Sequence, residues 1–219
     1  MSQSVRNKGL IAPLRRAGVV PVLTIDDVSD AIPLAEALVS GGLTMLEITL
    51  RTETAFAAIS QISQAVPDAL VGAGTVLSPE DGEAALKAGA RFLVSPGISP
   101  RLAAAAEIWP VPFLPGVATV SEVMALRDMG YRCLKFFPAE ASGGARALAG
   151  IQAPIRDMSF CPTGGVTPAN AADYLSLKCV EAVGGSWMAP ANAIQSRDFE
   201  SITDQARRAR ALVDTLGGG

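Results

Sequence analysis

The chain carries four lysines, and one of them is out of place for a surface residue. Lys8 belongs to an N-terminal helical stretch, Lys87 lies late in a helix where a cation suits the dipole, and Lys178 precedes the last expected strand. Lys135 instead interrupts an apolar run, Cys133-Leu134-Lys135-Phe136-Phe137. Alternation along a strand sends Leu134 and Phe136 towards covering helices and turns Lys135 inward. An amine there loses hydration, which favours its neutral form, and a neutral amine can attack a carbonyl to give a Schiff base. A lysine matched to an internal carboxylate for stability alone has the same pattern.

Glu47 is the natural companion. In Met45-Leu46-Glu47-Ile48-Thr49 the same alternation points Glu47 inward with Met45 and Thr49. A carboxylate beside such a lysine can move protons between substrate and water; a plain Glu47–Lys135 or Glu47–Arg51 salt bridge would read identically. Arg51, just past that strand, has the forked donor set that holds a carboxylate, or is an ordinary surface arginine. Thr75 follows Gly72-Ala73-Gly74, where missing side chains let a ligand approach the backbone, although turns are the commoner reason for such glycines. Gly164-Gly165 and Gly184-Gly185-Ser186 follow two late strands. Loops of this kind bind phosphate through backbone N–H groups, here with the Ser186 hydroxyl, because neither loop holds a lysine or arginine.

Composition removes several alternatives. There is no histidine in 219 residues, so Ser-His triads, histidine acid/base chemistry and histidine-containing metal sites are excluded together. A metal-dependent sugar-phosphate epimerase, which needs such ligands, is disfavoured on the same ground. With 18 Lys+Arg against 21 Asp+Glu, the net charge of −3 and the lack of basic runs argue against nucleic-acid binding. Cys133, Cys161 and Cys179 are odd in number and lie 28 and 18 residues apart, matching no zinc pattern. They read as reduced core thiols of a cytoplasmic protein. The longest apolar stretch, 108–120, is broken by Pro110, Pro112 and Pro115, and neither a signal peptide nor a membrane span is expected. No G-x-G-x-x-G follows a strand and no Walker sequence occurs.

The elements that must position these groups alternate throughout. Strands are expected at 19–23, 45–50, 70–74, 92–95, 112–114, 133–137, 159–161 and 180–183. Helices are expected near 28–40, 53–64, 79–88, 100–107, 120–128, 143–149, 167–176 and 198–216, with an extra N-terminal helix near 2–17. Ser78-Pro79 and Thr167-Pro168 look like helix caps, Gly89 and Gly130 like helix ends, and the glycine tail at 217–219 like a mobile end. Eight β/α units without a linker predict one domain over 1–219. Polar groups follow strand after strand, which favours a (β/α)₈ TIM barrel of the α/β class over a doubly wound sheet with a single switch point.

Six stretches together resemble the family of 2-keto-3-deoxy-6-phosphogluconate (KDPG) and 4-hydroxy-2-oxoglutarate (KHG) aldolases. They are Leu46-Glu47-Ile48-Thr49-Leu50-Arg51-Thr52, Val71-Gly72-Ala73-Gly74-Thr75-Val76, Ser95-Pro96-Gly97, Lys135-Phe136-Phe137-Pro138-Ala139-Glu140, Cys161-Pro162-Thr163-Gly164-Gly165-Val166 and Gly184-Gly185-Ser186-Trp187. The resemblance implies a trimeric barrel acting as a class I aldolase with no metal or other cofactor. By the resemblance, Lys135 forms the Schiff base and Glu47 is the general acid/base. Arg51, Thr75 and Pro96 line the pyruvate half with Phe137 and Thr163 nearby, and Gly164, Gly165, Gly184, Gly185 and Ser186 take the phosphate. The implied substrate is KDPG, split into pyruvate and glyceraldehyde 3-phosphate. The same chemistry on the galactonate epimer or on 4-hydroxy-2-oxoglutarate, or a non-catalytic phospho-ligand barrel, are the alternatives.

Overall fold

The structure is a computed structural model and describes residues 6–217, so positions 2–5 of the expected first helix and 218–219 of the glycine tail lie outside it. Helix α1 (Lys8–Ala17) leads into β1 (Val19–Leu23), a 3₁₀ turn at Val28–Asp30 and α2 (Ala31–Ser40). There follow β2 (Met45–Thr49), α3 (Ala55–Ala65), β3 (Leu70–Gly74), α4 (Pro79–Lys87), β4 (Leu93–Val94) and α5 (Pro100–Ala106). The next units are β5 (Phe113–Leu114), β6 (Gly116–Val117), α6 (Val120–Asp128), β7 (Cys133–Phe136), α7 (Gly144–Gln152) and β8 (Ser159–Pro162). The chain closes with α8 (Ala171–Leu175), β9 (Val183–Gly185), α9 (Ala191–Gln195) and α10 (Phe199–Gly217).

The strands pair in parallel in the orders β5-β4-β3-β2-β1-β9 and β6-β7-β8, forming a curled sheet. Parallel neighbours need a crossover, and the intervening helices supply it. Alternation splits the core in two. Leu46, Ile48, Val71, Ala73, Leu134 and Phe136 face the helices, where they meet Leu34, Leu38, Ile59, Ile62 and Ile202. Val20, Met45, Phe92, Val94, Leu114, Cys133, Cys161 and Ala182 form a second cluster on the concave side.

That second cluster is plugged by α1. Its buried face, Leu10, Leu14 and Ala17, recurs at helical spacing and packs among the concave residues, while Arg15 and Arg16 stay in solvent in its last turn. Asn7, ahead of the helix, ties the strands beside it together. Its Nδ2 donates to the carbonyls of Phe113 and Cys133 at 3.0 and 2.7 Å, and its Oδ1 accepts from the Cys133 amide at 3.3 Å.

Several sequence expectations shift. The expected strand at 180–183 becomes β9 at Val183–Gly185, so Gly184 and Gly185 are strand residues rather than a loop. Glycine reads as a strand breaker, but here close neighbours demand it. A Cβ on Gly184 would lie 2.4 Å from Thr163 Oγ1, and one on Gly185 1.9 Å from the Trp187 ring. The fifth strand is split: Pro115 has no N–H to donate, and β5 and β6 flank it. Thr167 does not cap α8, which starts at Ala171; its N–H and hydroxyl donate instead to Asn170 Oδ1, closing a turn before the helix. Helix α9, a five-residue segment, has no expectation to match it. Elsewhere the signals hold. Ser78 and Asp81 form a capping box, and Gly89 and Gly130 end their helices at φ +101° and +92°.

Candidate active site

The inward lysine and glutamate meet. Lys135 Nζ donates to Glu47 Oε1 at 3.0 Å, and their side chains are only 6% and 5% exposed. They come from strands on opposite sides of the concave space, and alternation within β2 and β7 brings them to one level. Neighbouring strands keep room for them. A Cβ on Gly74 would fall 2.1 Å from Glu47 Oε1, so β3 must carry glycine beside the carboxylate. The partners of Lys135 in register are Gly116 and Cys161. The Phe137 ring centroid is 5.3 Å from Nζ, giving the cation an aromatic face.

The pocket's mouth lies above the pair. A cavity of about 250 Å³ is bordered by Val22, Thr24, Arg51, Phe137, Thr163, Gly164, Gly165, Val166, Gly185 and Ser186. The expected residues Arg51, Phe137, Thr163, Gly164, Gly165, Gly185 and Ser186 are therefore together. Arg51 is exposed and forms no ion pair among the described residues, which leaves its fork for a ligand. Gly164 and Gly165 adopt successive left-handed conformations, φ +99° and +79°. The backbone N–H groups of Gly165, Val166 and Ser186 donate to no protein acceptor among the described residues. Such a turn of free N–H groups is an anion cradle.

Besides the buried Lys135 and Glu47, three expected residues do not border this cavity. Gly184 is committed to the approach of Thr163, with which it pairs across the β8–β9 edge. Thr75 follows Gly74 at the level of the Glu47 carboxylate and holds φ +60°, a left-handed conformation that a β-branched residue rarely takes. Pro96 turns its carbonyl to Gly116, where a Cβ would lie 2.2 Å away, and Gly116 in turn pairs with Lys135. Thr75 and Pro96 thus flank the buried pair rather than the mouth.

The sequence reading missed Val22 and Thr24 at the mouth. Both continue the inward alternation from Val20, a signal cut short by ending β1 at Leu23. Thr24 shares a 3.0 Å hydrogen bond with Thr49, whose hydroxyl also bonds the Leu23 carbonyl at 2.9 Å, so the rim by β1 is fixed to β2. All three cysteines are free and buried. Burial pushes the Cys161 thiol up to about 12, and the Cys133 thiol is raised by the same cause, so neither competes with Lys135 as a nucleophile. Among the described residues no group of three or more His, Cys, Asp or Glu side chains could hold a metal ion, and no helix is long and apolar enough to cross a membrane.

Comparison with known proteins gives the same answer from three directions. The family described as "Aldolase: KDPG and KHG aldolase" matches residues 10–205. The KHG/KDPG aldolase of Escherichia coli (strain K12) is 50% identical over 191 residues, covering 87% of this chain and 90% of the relative. A crystal structure of KDPG aldolase from Legionella pneumophila, with pyruvate captured as a covalent carbinolamine intermediate, superposes with a TM-score of 0.89 at 43% identity, covering 91% of this chain and 97% of that one. The Zymomonas mobilis ZM4 enzyme with 3-phosphoglycerate gives a TM-score of 0.87 at 46% identity, over 92% and 95% of the two chains.

Proposed function

Because the chain belongs to the KDPG and KHG aldolase family, we propose that it cleaves 2-keto-3-deoxy-6-phosphogluconate to pyruvate and glyceraldehyde 3-phosphate through a Schiff base on Lys135. The observation that carries this reading is the buried 3.0 Å Lys135–Glu47 pair beneath a mouth lined with free N–H groups.

In this reading the Lys135 amine attacks the C2 ketone, forming a carbinolamine that loses water to a protonated imine. Glu47, directly or through a water, accepts the proton of the C4 hydroxyl. The C4–O electrons form the aldehyde carbonyl, and the C3–C4 bond pair moves through C2 to the imine nitrogen, giving a neutral enamine. The aldehyde leaves, the enamine takes a proton at C3, and water releases pyruvate and the free amine. The imine itself is the electron sink, so the scheme calls for no metal or other cofactor. Arg51 holds the substrate carboxylate, while Thr75 and Pro96 wall the pyruvate half beside the pair and Phe137 and Thr163 lie between the two ends. Gly164, Gly165, Gly185 and Ser186 receive the phosphate, with Gly184 supporting the strand beneath. The relative named for both KHG and KDPG keeps the shorter, unphosphorylated substrate as the second reading.

The finer architecture belongs to the same proposal. Eight strands close into one (β/α)₈ barrel domain over 1–219, with α1 as an extra helix at its base. Two features support closure. Parallel bridges Phe160–Val180 and Thr163–Gly184 join β8 to β9, and β5 runs into β6 through Pro115 alone. The assembly is a homotrimer, supported by exposed Leu77, Ile108, Val120, Met124 and Met129, of which Val120 and Met124 sit one turn apart on α6. A cytoplasmic location suits three unpaired cysteines.

Borohydride reduction in the presence of pyruvate tests the chemistry. The expected result is a stable pyruvate adduct that peptide mapping places on Lys135 and that Lys135→Met no longer forms. An adduct elsewhere, or none on the folded protein, overturns the assignment.

A further inference from the structure

Behind the Gly164–Gly165 turn stands a polar pair that the bond-breaking steps do not use. Tyr174, on α8, is 0% exposed, and its hydroxyl donates to Glu140 Oε1. Burial first, and then the Glu140 carboxylate, raise the phenol's pKa, so it remains a protonated donor. Glu140 lies in the segment after β7, which runs beside the turn. The Ala139 N–H donates to the Thr163 carbonyl at 2.8 Å, and the Glu140 N–H to the Gly164 carbonyl at 3.0 Å. Contact is tight: a Cβ on Gly165 would fall 2.7 Å from both Cβ and Cγ of Glu140. The next carbonyl, that of Gly165, accepts from Asn170 Nδ2 at 3.1 Å. Both glycine carbonyls are thus engaged by donors from the protein, while the Gly165 and Val166 N–H groups donate to no protein acceptor among the described residues.

A carboxylate is an odd choice beside an anion cradle, since its charge opposes the ligand's. Its use here is mechanical. Without a partner the Glu140 side chain would swing into solvent, and the stem that braces Gly165 would go with it. The Tyr174 hydroxyl, anchored in the core, fixes it.

We propose that Glu140 and Tyr174 form a latch that holds the Gly164–Gly165 turn in its anion-receiving shape, making both of them positioning residues for phosphorylated substrates. The inference rests on the reading that this turn takes the substrate phosphate.

The test separates the two. Competitive inhibition of KDPG cleavage by inorganic phosphate is measured first on the wild type; its absence overturns the phosphate reading and the latch together. Tyr174→Phe and Glu140→Ala are then compared with Glu140→Gln, which keeps an acceptor for the tyrosine. Loss of one hydrogen bond to a charged group corresponds to roughly a tenfold effect. The expected result for Tyr174→Phe and Glu140→Ala is a KM for KDPG and an inhibition constant for phosphate raised about tenfold, with kcat within about twofold. Their rate of borohydride trapping with pyruvate, which carries no phosphate, stays at the wild-type value, and Glu140→Gln restores KM. Unchanged KM in both variants, or an equal loss in KDPG binding and pyruvate trapping, overturns the latch while leaving the phosphate reading intact. Glu140 is exposed, so its variants report even if Tyr174→Phe fails to fold.

Discussion

At the scale of single residues, the site combines an expensive pair with an expensive conformation. Removing one partner of a buried ion pair typically costs about 3–5 kcal/mol, because the other charge is left unmatched. Single substitutions at Lys135 or Glu47 therefore confound stability with catalysis, and Lys135→Met paired with Glu47→Gln is the cleaner control. Thr75 holds φ +60° next to Gly74 and the Glu47 carboxylate. A non-glycine residue in that region costs about 1–3 kcal/mol, less the roughly 0.5–1 kcal/mol that glycine loses in chain entropy. Thr75→Gly is expected to stabilise the protein by about 1 kcal/mol in urea unfolding while lowering kcat/KM. A variant that is less stable, or that keeps full activity, would show that the strain has no functional purpose. Lys135 and Glu47 were legible in the sequence because period-two alternation is a strong local signal and charge inside an apolar strand is rare. Tyr174 and Glu140 were not, since their contact joins segments 34 residues apart and no local pattern records it.

The elements owe much of their definition to end groups. On α6, Thr119 Oγ1 accepts from the Glu122 amide at 3.3 Å, and Glu122 Oε2 accepts from the amides of Ala118 and Thr119 at 2.8 and 2.9 Å. The Ala118 N–H above all, then the Thr119 hydroxyl and N–H, hold the Glu122 carboxyl below its ordinary 4.5. A depressed carboxyl contributes its stability above its unfolded value and loses it as the pH falls through the folded one. The Tm difference between wild type and Glu122→Ala should thus be greatest near pH 7 and shrink progressively as the pH falls below 4.5. Because the group is well exposed, the neutral-pH difference should be only about 0.5 kcal/mol. A difference that grows in acid would contradict the capping role. Such caps were readable at Ser78 and Gly89, where residue type and spacing agree. They misled at Thr167, where the same residues close a turn, and at Gly184, where a demand for space at a strand contact looks like a loop.

Over the whole molecule, two cores with different duties are stacked along one chain. The helix-facing core was predictable from alternation, whereas the role of α1 in filling the concave side was not, because an amphipathic helix does not announce its partner. Leu14 is 1% exposed within that filling. Leu14→Ala should lower unfolding stability by about 3 kcal/mol. Below the transition it should leave kcat/KM nearly unchanged, since Lys135 and Glu47 lie two residues further along their strands than Cys133 and Met45. Loss of activity without loss of stability would place α1 in the chemistry instead of under it.

The plug also sets a timetable. With Leu10, Leu14 and Ala17 packed on the concave side below the reactive pair, the proposed doorway is the rim between Arg51 and Ser186. The water expelled on dehydration, the departing aldehyde and the water that later frees pyruvate must all pass that doorway in turn. The aldehyde occupies the outer berth and the imine-bound fragment the inner one. The inner cargo cannot be unloaded until the outer has gone, so the filled concave side makes the order of departure a matter of geometry as well as of chemistry.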